Sequence, residues 1–197
     1  VYNGRVSQLG NIQMTNNSKQ NVILVNSNDE PIGVMDKITA HKEAILHRAF
    51  SVFLIRFNKN NYECMLQQRA AKKYHSGGLW SNTCCSHPYP DEDIITAAKR
   101  RLKEELGISI NKLEKLHYFI YKAKLDNDLH EHELDHLLIG EIYNETNLLP
   151  DPSEVQSTKW ITFTDLQQQI TNNPKQYTAW LSLALAELKK ARPELFY

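Results

Sequence analysis

Two adjacent cysteines and a histidine stand in the segment NTCCSHP, residues 82–88, of a chain with only three cysteines. A disulfide between neighbours is strained, and Cys64, Cys84 and Cys85 are odd in number, so they do not read as a disulfide framework. A reactive thiol beside a metal-binding imidazole accounts better for the grouping. The stretch EHELDH, residues 131–136, carries chemistry of a second kind. On a strand, alternate side chains share a face, so Glu131 and Glu133 would project together with His132 and His136 behind them. On a helix the letters HELDH satisfy the HExxH pattern of zinc peptidases, with His132 and His136 as ligands and Glu133 as general base. The preceding FIYKAKLDND has the character of a strand and turn, and no matching third ligand follows, which favours the strand.

The elements that must hold these residues alternate along the chain. NVILVN (21–26) reads as a strand, NDEPIG as a turn, and VMDK leads into ITAHKEAILH, a short helical or irregular stretch. AFSVFLIRF (49–57) and YECMLQQRA (62–70) flank the polar NKNN and predict a hairpin. KKYHSGGLWSNTCCSHPYP is too rich in Gly, Pro and Ser for regular structure and reads as a long functional loop. With Asp91 as candidate N-cap, Ile94, Ala98, Leu102 and Leu106 recur four apart and Gly107 stops the helix. Residues 115–125 and LHEHELDHLLIGEIY predict a second hairpin, residues 158–163 a short strand, and TDLQQQI a helix. A final helix over YTAWLSLALAELKKA carries Trp180, Leu181, Ala184, Leu185 and Leu188 at helical spacing. Mixed strands and helices around one sheet make an α+β fold, an α/β sandwich.

At 197 residues the chain suits one domain, placed at 21–197, behind a polar tail over 1–20 that receives no role. Its 23 basic residues balance 23 acidic ones, so no overall field recruits nucleic acid or membrane, and anion binding must come from a local cluster. The expected partner is a small molecule, and the expected assembly a monomer or weak homodimer. Unpaired cysteines point to a reducing, cytoplasmic compartment. No apolar run approaches the ~20 residues that span a bilayer.

Glu92, seven intervening residues and RRLKEELGI (100–108) together resemble the Nudix box. Ser86 stands where that box has its leading Gly, and Arg101 replaces a carboxylate that holds metal for diphosphate hydrolysis. On charge alone, Arg100, Lys103, Glu104 and Glu105 could simply solvate a surface helix. With AHKEAILHRAFS (40–51), RAAKK, GLWSNTCCSHP, EHELD and YTAW in order, the chain after residue 20 resembles the type I isopentenyl-diphosphate isomerases, a Nudix branch that tolerates such a box. The resemblance implies a Nudix sandwich, a mixed central sheet flanked by helices, with extra elements at both ends.

It further implies a primary metal held by His41, His47, His87, Glu131 and Glu133; this donor set would accept Zn²⁺, Mn²⁺ or Mg²⁺. Glu105 would reach a second Mg²⁺ on the substrate diphosphate, and Lys37, Arg69, Lys73 and Arg101 would bind the phosphates. In the pattern NxxCxHP the catalytic cysteine becomes Cys85, with Cys84 its packing neighbour. Glu133 and Tyr121 would deliver a proton to the alkene, Cys85 would remove one, and Trp180 would offer a π face to the tertiary cation between them. Without the resemblance, each histidine could equally cap, pack or face solvent, and Trp180 could be core. A Nudix hydrolase, a zinc peptidase through HELDH and a non-catalytic diphosphate-binding module are the competing readings. The isomerase reading expects severe losses at Cys85 and Glu133 and near silence at His132 and His136.

Overall fold

The apolar run AFSVFLI, residues 49–55, is buried along its whole length, as a strand covered on both faces must be. A computed structural model describes residues 20–143 and 147–197, so the tail assigned to residues 1–20 lies, but for its last residue, outside the described residues. In chain order the elements are β1 (Asn21–Val25), β2 (Pro31–Asp36), α1 (Lys37–Glu43), β3 (His47–Asn58), β4 (Asn61–Arg69), β5 (Trp80–Ser81), β6 (Cys84–Ser86), α2 (Ile94–Leu106), β7 (Glu114–Lys124), β8 (His130–Glu141), β9 (Val155–Thr162), α3 (Phe163–Asn172) and α4 (Leu181–Ala191).

Strand β3 organises the sheet. One edge pairs in parallel with β8 from His47↔Glu133 to Ile55↔Glu141, and β8 pairs antiparallel with β7. The other edge is divided among three neighbours in succession: β1 at His47, β6 at residues 50–52 and β4 at residues 55–58. Strand β4 continues the sheet to β9 and β5. Helix α2 covers one face, packing Ala98, Leu102 and Leu106 with Val52, Leu54 and Leu138. Helices α3 and α4 cover the other, packing Leu166, Leu181, Leu185 and Leu188 with Phe53, Leu66 and Leu137. This is the α+β sandwich with a mixed sheet that the sequence predicts.

Four local expectations are corrected. Asp91 is not the N-cap of α2: it has φ 66°, in the left-handed region, whereas Asp93 is extended and its carboxylate accepts from the amides of Ile95 and Thr96. Replacing Asp93 by alanine is expected to cost about 1 kcal/mol of stability, read as a lower urea midpoint with an unchanged slope. Residues 31–36 form a strand rather than continuing the turn, because Asn26 closes the turn early by accepting from the amides of Asn28 and Glu30. The loop over residues 72–90 contains β5 and β6, each too short to show a period. Trp180 precedes the final helix as its N-cap residue. At the end of α2, Gly107 has φ 71°, and a Cβ there would meet Leu149 Cβ at 2.6 Å, so both conformation and packing require glycine.

Candidate active site and metal centre

The sheet brings five ligand-type side chains from four segments to one end. His41 comes from the last turn of α1, His47 opens β3, His87 follows β6, and Glu131 and Glu133 lie near the start of β8. The parallel register sets His47 beside Glu133, and alternation along β8 aims both glutamates the same way. One ligand atom from each of the five lies within 4.8 Å of all the others.

Their orientation fits a cation. His41 Nδ1 donates to Lys37 O at 2.6 Å and His47 Nδ1 to Ile45 O at 2.8 Å. A proton fixed on Nδ1 leaves Nε2 as a lone pair facing inward, the usual arrangement of metal-bound histidine. His41 Nε2, His47 Nε2 and Glu131 Oε2 are buried without a hydrogen-bond partner; His41 Nε2 and Glu131 Oε2 approach to 3.0 Å without bonding alignment. Such orphaned atoms cost roughly 1–3 kcal/mol each, which shared coordination would remove. Burial lowers the pKa of His41 and brings that of His87 down to about 3, so both stay neutral. Burial and the charge of Glu133 hold Glu131 well above the usual carboxylate range. Burial pushes Glu133 the same way, but the hydrogen bond with His87 and the nearness of His47 outweigh it and hold Glu133 well below that range. Two buried carboxylates, one keeping its proton, call for positive charge between them. The cluster is therefore a divalent-metal site in its donor chemistry.

The same cavity is lined by Cys85, Tyr121 and Trp180. Tyr121 Oη donates to Glu133 Oε2 at 2.6 Å. Strand β6 pairs Cys85 with Ser51 and Cys84 with Val52, so the adjacent thiols face opposite ways. Cys84 is fully buried against α2. Cys85 Sγ donates to Asn82 Oδ1 at 2.8 Å, accepts from Trp180 Nε1 at 3.2 Å and lies 3.5 Å from Ser51 Oγ. The Asn82 amide group is committed to the carbonyls of Val52 and Cys84, which leaves its oxygen facing the sulfur. Burial, with Asp135 nearby, pushes the Cys85 thiol up to about 12. The sulfur is thus protonated at rest.

Lys37, Arg69, Lys73 and Arg101 line the other part of the cavity. Arg101 bonds Glu105 at 2.6 Å and approaches Glu154 at 3.3 Å, while Lys73 also pairs with Glu154. Glu105 is 3% exposed and additionally accepts from Gln67 at 3.0 Å. All thirteen predicted site residues fall here: eleven line this cavity, and His41 and His47 complete the cluster beneath it. Sequence reasoning assigns no role to His75, Tyr74, Glu154, Ser51 or Asn82. Only Asn82 had a signal, its place in NxxCxHP. His75, whose Nε2 lies 3.7 Å from Glu131, has its pKa brought down to about 2 by burial and by Arg69 and His41.

HELDH is part of β8, so His132 and His136 share neither a helix face nor the glutamates' side of the strand. That removes the zinc-peptidase reading. Both histidines have partners on the far face of the strand: His132 Nδ1 donates to Ala44 O at 2.8 Å, and fully buried His136 lies 3.0 Å from Asp29.

A NUDIX domain model matches residues 45–181. The chain is 43% identical over 168 residues to the isopentenyl-diphosphate Delta-isomerase of Photobacterium profundum, covering 85% of this chain and 93% of that protein. It is 45% identical over 167 residues to the enzyme of that name from Pectobacterium atrosepticum, covering 85% and 90%. Among solved structures, a Deinococcus radiodurans protein superposes with TM-score 0.67 at 16% identity, over 85% of this chain and 98% of that one. The NUDIX domain of Shewanella oneidensis NrtR, complexed with ADP ribose, superposes with TM-score 0.56 at 14% identity, over 74% and 86%. No described helix is long and apolar enough to cross a membrane. His41 and Lys37 lie ahead of the NUDIX match, in the added N-terminal elements. Identities of this size over 85% of the chain, together with the NUDIX match, establish that the chain belongs to the isopentenyl-diphosphate Delta-isomerase family within the NUDIX fold.

Proposed function

We propose that this chain interconverts isopentenyl diphosphate and dimethylallyl diphosphate by moving one proton onto and another off the five-carbon unit. The observation that carries this reading is that a thiol and a phenol–carboxylate pair, Cys85 and Tyr121–Glu133, line one cavity with Trp180 bonded to the sulfur. Protonating an unactivated alkene creates a tertiary cation that water would trap, so the acid, the base and a stabilising surface must meet where water is excluded. Trp180, 3% exposed, offers its ring to that cation, an interaction worth about 2 kcal/mol when desolvated.

In the isopentenyl-to-dimethylallyl direction, the Tyr121–Glu133 pair delivers a proton to the terminal carbon and Cys85 Sγ takes one from the allylic carbon. The reverse direction runs from a protonated sulfur to an ionised Glu133. One forward turnover leaves the sulfur protonated and Glu133 ionised, so the sulfur must release a proton and the Tyr121–Glu133 pair take one up from solvent before the next. Lys37, Arg69, Lys73 and Arg101 bind the diphosphate and fix the remote end of the substrate, and that binding energy aligns the alkene. His41, His47, His87, Glu131 and Glu133 would hold a divalent ion, Mg²⁺, Mn²⁺ or Zn²⁺, which would supply positive charge opposite the two buried carboxyl groups. Glu105 would hold a second Mg²⁺ that accompanies the diphosphate. Arg101 supports the isomerase reading over hydrolysis, because it puts a phosphate-binding cation where the Nudix box has a metal-binding carboxylate.

Incubation of isopentenyl diphosphate with the purified protein and Mg²⁺ in D₂O tests the proposal by NMR. Deuterium should enter the allylic position and the methyl groups as dimethylallyl diphosphate forms. Release of phosphate without exchange would establish a hydrolase, and binding without either would establish a non-catalytic module.

A further inference from the structure

We infer that His132, which lies between two of the metal-site glutamates but faces away from them, is a positioning residue for the metal centre: it pins the corner joining two of the histidine ligands. The inference rests on the metal-centre part of the proposed function.

Residues 44–46 form the corner between α1, which carries His41, and β3, which begins with His47. Helix α1 has only seven residues and ends at Ala44 in the left-handed region, at φ 53° without the freedom of glycine. Short helices leave their last carbonyls without intrahelical partners, and a non-glycine residue at positive φ persists only where its surroundings over-determine it. Here the carbonyls of all three corner residues have donors. Ala44 O accepts from His132 Nδ1 at 2.8 Å, Ile45 O from His47 Nδ1 at 2.8 Å, and Leu46 O from the Val25 amide at 3.3 Å. Two come from within the metal-site neighbourhood. His47 ties the corner from inside while orienting its own Nε2, and His132 ties it from the far face of β8. Since a carbonyl only accepts, Nδ1 of His132 carries the proton in this bond.

Strand alternation makes the arrangement economical: Glu131 and Glu133 point at the cation while the residue between them holds the corner that sets the spacing of His41 and His47. Their ring centroids are 4.9 Å apart, and both Nδ1 atoms bond carbonyls at or before this corner. Losing the Ala44 tie frees the corner to relax from its left-handed residue and changes the relative placement of two ligands. The HELDH motif, which gives no peptidase, thereby acquires a role for its first histidine.

The test compares His132→Ala with His132→Asn, whose Nδ2 reaches the same distance from Cβ as histidine Nδ1. Two readouts are used: Mn²⁺ affinity by chelator competition, and amide hydrogen exchange over residues 40–47 in the metal-free protein. His132→Ala should weaken Mn²⁺ binding about tenfold, the low end for loss of an outer hydrogen-bond partner, and should speed exchange at the Ile45 amide. His132→Asn should restore most of both. Wild-type affinity and exchange in the alanine variant would overturn the inference. So would an asparagine variant as impaired as alanine, since bulk rather than the donated hydrogen bond would then matter. His41→Ala is the control for the underlying reading: if it binds Mn²⁺ as well as wild type does, the metal centre itself is refuted and the positioning role falls with it. The exchange data then report separately whether the corner is tied.

Discussion

Cys85→Ala is expected to lower kcat for isomerisation by on the order of 10²–10⁴-fold, the range attributed to one positioned acid–base group, with KM nearly unchanged. Cys85 touches none of the four cations proposed to hold the diphosphate. Its partners are Asn82, Trp180, Ser51 and Ser81. Removing the sulfur leaves Trp180 Nε1 bonded to Ser81 Oγ at 3.0 Å and Asn82 Oδ1 accepting from the same hydroxyl at 3.2 Å, so the cavity wall retains partners and the fold persists. Steady-state kinetics of the variant, with circular dichroism to verify folding, make the comparison. A kcat close to that of wild type would remove Cys85 from the proton path.

Glu133→Gln is expected to produce a loss at least as large, again on the order of 10²–10⁴-fold, and to differ from Cys85→Ala in a second respect. Glu133 accepts from Tyr121 at 2.6 Å and from His87 at 2.9 Å, and stands 3.7 Å from His47 Nε2. Neutralising it removes a proton carrier and a metal ligand together, so Mn²⁺ affinity should fall roughly tenfold or more alongside the rate. Cys85→Ala, by contrast, should bind Mn²⁺ as wild type does. Measuring affinity and turnover on both variants separates the roles. A Glu133→Gln protein with intact metal binding but no turnover would confine Glu133 to proton transfer, and one with intact turnover would refute both functions.

Much of this site is legible in the sequence, for different reasons in different places. Helix α2 announces itself because Ile94, Ala98, Leu102 and Leu106 repeat at helical spacing and line one buried face. The first hairpin announces itself because β3 carries a long run of apolar and β-branched residues, whereas the polar first half of β8 shows its strand only through the turn and strand character of what precedes it. The five metal-site residues are a different matter. Each alone is an ordinary histidine or glutamate, and their convergence from four segments depends on the parallel β3–β8 pairing, so only the family motifs pick them out. Strand β2 hides because five of its six residues are exposed, leaving no buried face to pattern. His75 and Glu154 hide because their contacts, to Glu131 and to Lys73 with Arg101, join segments that no local spacing relates.

Parity decides which sulfur reacts. Consecutive residues of β6 alternate sides, one thiol sealed beneath α2 and its neighbour open to the cavity, and the three-residue strand is seated in a gap on the edge of β3. A one-residue slip in that seat would exchange the faces, turning Cys84 outward and driving Cys85 into the core while carrying His87 away from Glu133. The doubled cysteine therefore gives no redundancy: a shifted frame would still present a thiol, but without its imidazole. Asn82, clamped to a carbonyl on each of the two paired strands, acts as the detent that holds the frame.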